Sequence, residues 1–70
     1  MTAASEEAER AARLFIHATR ALGTEAEARD FMTTRHPMLD GIPPLEAART
    51  DLSTRRAEHI LNALELGLAL

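Results

Sequence analysis

All three prolines of this chain fall in one stretch of nine residues, His36-Pro37-Met38-Leu39-Asp40-Gly41-Ile42-Pro43-Pro44. A proline ring fixes its own backbone angle and removes an amide donor. It also pushes the preceding residue out of the helical region. A helix arriving from the N-terminal side must therefore stop by His36. Pro44 suits the first position of a new helix, where its missing N–H costs nothing. This stretch divides the chain into two proline-free arms, and we read residues 36–43 as a rigid, ordered loop. Met38, Leu39 and Ile42 are too apolar for a free linker and are expected to tuck under the helices.

Both arms are written for helices. Valine, tyrosine and tryptophan are absent, and the aromatics are limited to Phe15 and Phe31. Strands favour β-branched and aromatic residues, whereas Ala, Leu, Glu and Arg are strong helix formers. From Ser5 to Leu22, Ala8, Ala11, Phe15, Ala18 and Leu22 recur at helical spacing, with Ala12 and Leu14 widening the stripe. Glu6, Glu7 and Glu9 lie where a helix N-terminus favours negative charge, Ser5 can cap it, and Gly23 suits the position just past its end. Thr24 followed by Glu27 matches a capping box and opens a second helix over 24–34. A short third helix is expected over 44–50. The fourth, over 53–66, carries Ala57, Ile60, Leu61, Leu64 and Leu68 at steps of three and four. Thr50, Asp51 and Ser53 all offer capping oxygens before it. The expectation is an all-α, compact bundle of about four helices in a single domain spanning 1–70, without repeats or low-complexity tracts.

Composition narrows the function classes. Seventy residues support one small core. With no cysteine, neither disulfides nor thiolate metal sites are available. The net charge is −3, from eight arginines against eleven Asp and Glu, and lysine is absent. A stand-alone DNA binder needs a basic face to neutralise phosphates; here acids and arginines are interspersed. Direct nucleic-acid binding is not expected. The N-terminus has no signal-peptide pattern, and no apolar run approaches the ~20 residues needed to span a membrane, so a cytoplasmic location is expected.

No catalytic, cofactor or metal site is expected. His17, His36 and His59 lack converging ligands nearby in sequence and read as surface or loop residues. The glutamates, Glu65 among them, show no paired arrangement for acid–base work. Gly23, Gly41 and Gly67 are isolated, so there is no phosphate-binding loop. One local anomaly remains. Leu64, Leu66, Leu68 and Leu70 join Ile60 and Leu61 to make the last helix apolar on more than one face. Either that helix is buried all round, or it offers an apolar surface to a partner; both readings stay open.

At this point a resemblance emerges. Over about residues 18–67 the chain resembles the toxin-binding domain of the Xre/MbcA/ParS antitoxins. Phe31-Met32 stands for the family's aromatic-Leu pair, where Trp is preferred, and Pro37 for the proline after it. Leu39-Asp40-Gly41-Ile42-Pro43-Pro44-Leu45 matches a Leu-x-Gly-x-x-Pro-Leu block. Arg55, Arg56, Leu61, Leu64 and Gly67 fit the final helix in register. Ser53 replaces a Gly that often precedes that helix, and Leu66 stands where a His is common.

The resemblance implies a bacterial antitoxin that binds and neutralises a RES-domain, NAD-consuming toxin by blocking its active-site cleft. It implies that Glu65, Leu66, Gly67, Leu68, Ala69 and Leu70 supply the plug. An acidic end there would compete for a cleft that holds a pyrophosphate, since arginine clusters accept either anion. Phe31, Pro37, Leu39, Gly41, Pro43, Pro44 and Leu45 would be the structural motif. Gly41, Pro43 and Pro44 are expected to shape the loop and not to touch the toxin. Family members commonly carry an N-terminal helix-turn-helix. About twenty residues precede the match here, so that DNA-binding domain is expected to be missing or supplied by another chain. The rival reading, from a different class, is a helical dimerisation or adaptor module with no toxin. A homodimer is expected under either.

Overall fold

The computed structural model describes residues 3–67. It is all-α, with α1 over Ala3–Leu22, α2 over Glu25–Thr33, a 3-10 turn over Pro37–Leu39, α3 over Pro44–Ala47 and α4 over Asp51–Glu65. The only pairing of extended backbone among these residues is an isolated antiparallel bridge between His36 and Ile42. Helix α1 packs along both α2 and α4, while α3 and the 3-10 turn close the open end of that layer.

The local signals explain most of the boundaries. Gly23, at φ +100°, ends α1 and donates its amide to the Thr19 carbonyl at 2.8 Å. Thr24 caps α2 by accepting from the Glu27 amide at 3.1 Å, and its hydroxyl reaches the Glu27 carboxylate at 3.3 Å. In α2 the last turn frays into side-chain bonds. The Thr33 and Thr34 hydroxyls donate to the Arg29 and Asp30 carbonyls, and Thr34 itself is already extended.

The proline-bounded loop is built as a small closed device. His36 is extended, and its Nδ1 accepts from the Met38 amide at 3.1 Å, which caps the 3-10 turn. Its carbonyl accepts from Leu39 and Gly41 at 3.0 and 3.1 Å, and its amide donates to the Ile42 carbonyl at 3.2 Å. Asp40 and Gly41 both adopt left-handed backbone, at φ +58° and +79°. Two such residues in a row reverse the chain, and only the second is a glycine, for which that region carries no Cβ penalty. Leu39 is buried and Ile42 packs against the core, as expected. Met38 is half exposed and does not tuck under the helices. It is the middle residue of a single 3-10 turn, and the turn sends Leu39 inward instead.

Six helix limits differ from expectation, among them the end of α4, which lies at Glu65 and not at residue 66. Helix α1 begins at Ala3, so Ser5 lies inside its first turn and is not the cap. Helix α2 runs 25–33, one residue shorter at each end than 24–34. Helix α3 stops at Ala47, not residue 50. The Arg10 side chain takes the next two carbonyls, donating from Nε to Ala48 at 2.7 Å and from Nη2 to Arg49 at 2.8 Å. That fork turns the chain out of the helix. Helix α4 then starts at Asp51, capped by Thr50, whose hydroxyl accepts from the Ser53 amide at 3.2 Å. Ser53 is therefore not the cap. Its hydroxyl donates to the Ala47 carbonyl at 2.6 Å, and Thr54 donates to the same atom at 3.3 Å. The two hydroxyls tie the end of α3 to the first turn of α4.

The core is made of Leu14, Ala18, Ala28, Met32, Leu39, Ala47, Ala48, Ala57, Ile60 and Leu61, with Phe15, Phe31, Leu22 and Ile42 packed around it. The buried face of α1 is centred on Leu14 and Ala18, while Ala8 and Ala12 are exposed. So many alanines bring helix axes close, and Leu14, Ile60, Leu61 and Pro44 fill the space between them. No described buried side-chain nitrogen or oxygen is left without a hydrogen-bond partner.

Candidate functional site

The anomaly at the end of α4 resolves into two faces. Ile60, Leu61 and Ala63 are buried, whereas Leu64 is 38 % and Leu66 73 % exposed. The buried stripe runs Ala57, Ile60, Leu61, Ala63, so Leu64 is not part of the core as the sequence stripe had it. An exposed leucine alone is ordinary; two within three positions at the end of a helix are a surface.

The helix closes in an orderly way. The amide of Leu66 donates to the Asn62 carbonyl and that of Gly67 to the Leu64 carbonyl, both at 3.1 Å. Gly67 has φ +72° and lies in open space. The left-handed backbone at Gly67 ends the helical run of α4, as expected of a glycine past a helix end. Of the expected contact residues, Glu65, Leu66 and Gly67 are brought together here. Leu68, Ala69 and Leu70 lie outside the described residues.

Glu65 is the one member of this group that is already engaged. Its Oε1 lies 2.9 Å from His17 Nε2, and its Oε2 accepts from Arg20 Nε at 2.9 Å. His17 and Arg20 sit one turn apart on α1, so both reach the same carboxylate. The hydrogen bond from Arg20, then that from His17, holds the Glu65 carboxyl below its usual value of 4.5. The partners lie 48 and 45 residues away in sequence. A search for ligands near each histidine misses such a contact; only the pairing of α1 with α4 reveals it.

The residues of the Leu-x-Gly-x-x-Pro-Leu block occupy positions that shape the chain. Pro37 opens the 3-10 turn, Leu39 enters the core, Gly41 takes left-handed backbone, Pro43 precedes α3 and Pro44 begins it while fully buried. Phe31 packs against the core, and its ring meets that of His36 edge-on, with centroids 6.2 Å apart. Leu45 departs from this pattern. It is half exposed and lines a cleft with Glu7, Ala8 and Ala11 of α1.

A second apolar surface was not singled out by the sequence. Met38, Leu52 and Ile60 floor an open groove whose edges are Arg55, Arg56 and His59. Leu52 is 64 % exposed. Its signal lay in the sequence as a leucine in the first turn of α4, out of phase with Ala57 and Leu61. Arg55 pairs with Asp51 at 3.1 Å and Arg56 with Asp40 at 3.4 Å.

The positive charge of the molecule is largely committed. Besides those two pairs, Arg29 meets Glu25 at 3.6 Å and Arg49 meets Glu7 at 3.9 Å. Arg10 is spent on backbone carbonyls. Exposed pairs of this kind add little stability each, but together they leave the surface a mixture of both signs. Among the described residues no cluster of His, Asp and Glu could hold a metal ion, and no helix is long and apolar enough to cross a membrane.

Comparison with known proteins bears on this arrangement directly. No curated protein and no solved structure matches the chain. The family of the antitoxin Xre/MbcA/ParS C-terminal toxin-binding domain matches it over residues 10–67. That span begins at Arg10, which holds the α3–α4 corner, and stops at Gly67, whose left-handed backbone ends the helical run of α4. It takes in every element that positions the exposed end of α4. A match over this much of the chain, with the Leu39–Leu45 block and Gly67 in the conformations described, establishes that the chain belongs to the Xre/MbcA/ParS antitoxin C-terminal toxin-binding domain family.

Proposed function

We propose that this protein neutralises a RES-domain, NAD-consuming toxin by inserting the end of α4 and the residues that follow it into the toxin's active-site cleft. Membership of a toxin-binding family makes a toxin the partner. The observation that carries the site is the exposed apolar end of α4, where Leu64 and Leu66 face solvent beside the turn at Gly67. Apolar side chains in this position are suited to the buried centre of an interface, where a few anchors supply most of the binding energy. Leu68, Ala69 and Leu70 extend the same apolar segment in sequence. The chain acts as a stoichiometric blocker and performs no chemistry of its own. It acts through this toxin-binding domain, and it works in the cytoplasm.

The groove of Met38, Leu52 and Ile60 favours self-association as an accompanying property. A homodimer through that face would leave the end of α4 free for the toxin. The test is direct. The purified protein is titrated into its cognate RES-domain toxin while NAD loss is followed. Complete inhibition at one antitoxin per active site is expected, with a complex that survives gel filtration. Continued NAD consumption at excess antitoxin refutes the reading and leaves an adaptor role.

A further inference from the structure

Glu65 has two possible uses: as part of the surface that meets the toxin, or as an internal fastening. The geometry favours the second. Both carboxylate oxygens are taken, one by His17 and one by Arg20, each at 2.9 Å. The side chains of His17 and Glu65 are only 14 % and 27 % exposed. Glu65 is the last residue of α4, and the next two residues carry the exposed leucine and the left-handed glycine. A helix end without such a tie frays, because its last carbonyls have no partners in the helix. Here no cation of α4 itself occupies the last turn to offset the dipole. The tie comes instead from α1.

We infer that His17 and Arg20 are positioning residues for toxin binding: by gripping Glu65 they hold Leu66 and Gly67, where the proposed contact begins, in one orientation. Glu65 then acts inside this chain and does not touch the toxin. The inference rests on the reading that the segment beginning at Leu66 is the toxin contact. Its physical basis is preorganisation. A segment already held in its bound direction loses less conformational freedom on binding than one that must be ordered at the moment of contact.

Charge exchange separates the two uses of Glu65. Glu65→Arg places like charges against Arg20 and opens the fastening. Adding Arg20→Glu restores an opposite pair with the signs reversed. Three readouts are taken on each chain: affinity for the cognate RES-domain toxin by calorimetry, backbone 15N relaxation at Leu66 and Gly67 without toxin, and helix content by circular dichroism. Arg20→Ala serves as a milder variant should Glu65→Arg unfold the chain. A chain ending at Glu65 reports on the underlying reading.

The expected result is about a ten-fold loss of affinity in Glu65→Arg, recovered to within about three-fold in the double variant. Leu66 and Gly67 should become mobile in the single variant and ordered again in the double. A toxin contact by Glu65 gives a different result: the double variant stays as weak as the single one, while order at Leu66 returns. That outcome overturns the inference. If the chain ending at Glu65 binds with full affinity, the underlying reading fails, and the inference with it, even where the relaxation data show the fastening itself.

Discussion

Replacing Leu14 by Ala tests whether the core is centred where the structure puts it. Leu14 is 0 % exposed, whereas Leu52, also a leucine in a helix, is 64 % exposed. Leu→Ala removes three carbons, worth about 2.4 kcal/mol at about 0.8 kcal/mol per buried methylene. A cavity in a close-packed interior adds to that, so about 3–4 kcal/mol is expected for Leu14→Ala. A domain of this length has a total stability of about 3.5–10 kcal/mol. The variant should therefore lose a third or more of it, and melt at least about 12 °C lower. Leu52→Ala, compared at a protein concentration low enough to keep the chain monomeric, keeps most of its area in water in both states and should cost less than about 0.5 kcal/mol. Urea unfolding followed by circular dichroism at matched protein concentration gives both numbers. A loss below about 1 kcal/mol for Leu14→Ala, or an equal loss for the two variants, would refute this placement of the core.

Other perturbations probe the connections. Gly41→Ala puts a Cβ on left-handed backbone at φ +79°, which should cost about 1–2 kcal/mol in the same assay although the site has open space. Arg10→Ala leaves the Ala48 and Arg49 carbonyls without their donor and should cost about 1.5–3 kcal/mol, with Arg10→Lys a poor rescue because a single ammonium cannot supply the fork. Thr50→Ala removes the α4 cap and should cost about 1 kcal/mol. The Glu65 carboxyl titrates lower in the folded chain than in the unfolded one, so the unfolded chain binds more protons as the solution is acidified. Its contribution is complete above pH 4.5 and is lost as the pH falls through the folded value. The urea midpoint should accordingly drop more steeply below pH 4.5 in the native chain than in Glu65→Gln; parallel curves would contradict the assignment.

Local grammar was legible and distant pairing was not. Thr24 with Glu27, Gly23 and Pro44 could be read from a few neighbouring residues, because a cap or a turn involves atoms within about one helical turn; before α4 three residues offered capping oxygens, and only the structure selects Thr50. The Leu39–Leu45 block was legible for the same reason, and it carried the family. The phase of the buried face of α1 was harder. Ala8, Ala12 and Leu14 are all apolar, and only the placement of α2 and α4 decides that Leu14 goes inside and the alanines stay out. Alanine-rich helices blur their own stripe in this way, since alanine is at home on either side. Ala63 and Leu64 present the same ambiguity at the other end. Arg10 and His17 were invisible as structural residues because their partners are 38 and 48 positions away. Of the candidate site, the apolar excess of the last helix was legible as an anomaly; the fastening of Glu65 was not.

The bonds of Arg10 and Glu65 also set an order of events during synthesis. Helix α1 is made first, yet its side-chain anchors wait for Ala48, Arg49 and Glu65. A nascent chain that has reached only Ala47 can hold α1 against α2 and α3, without the helix that completes the layer. Domains generally fold as units while the chain emerges, and contacts this far apart in sequence form late. Closure therefore coincides with delivery of α4, the element that carries the proposed contact at its end. A chain cut short before α4 lacks both that closure and the proposed contact, so on that proposal it does not compete with whole chains for the toxin.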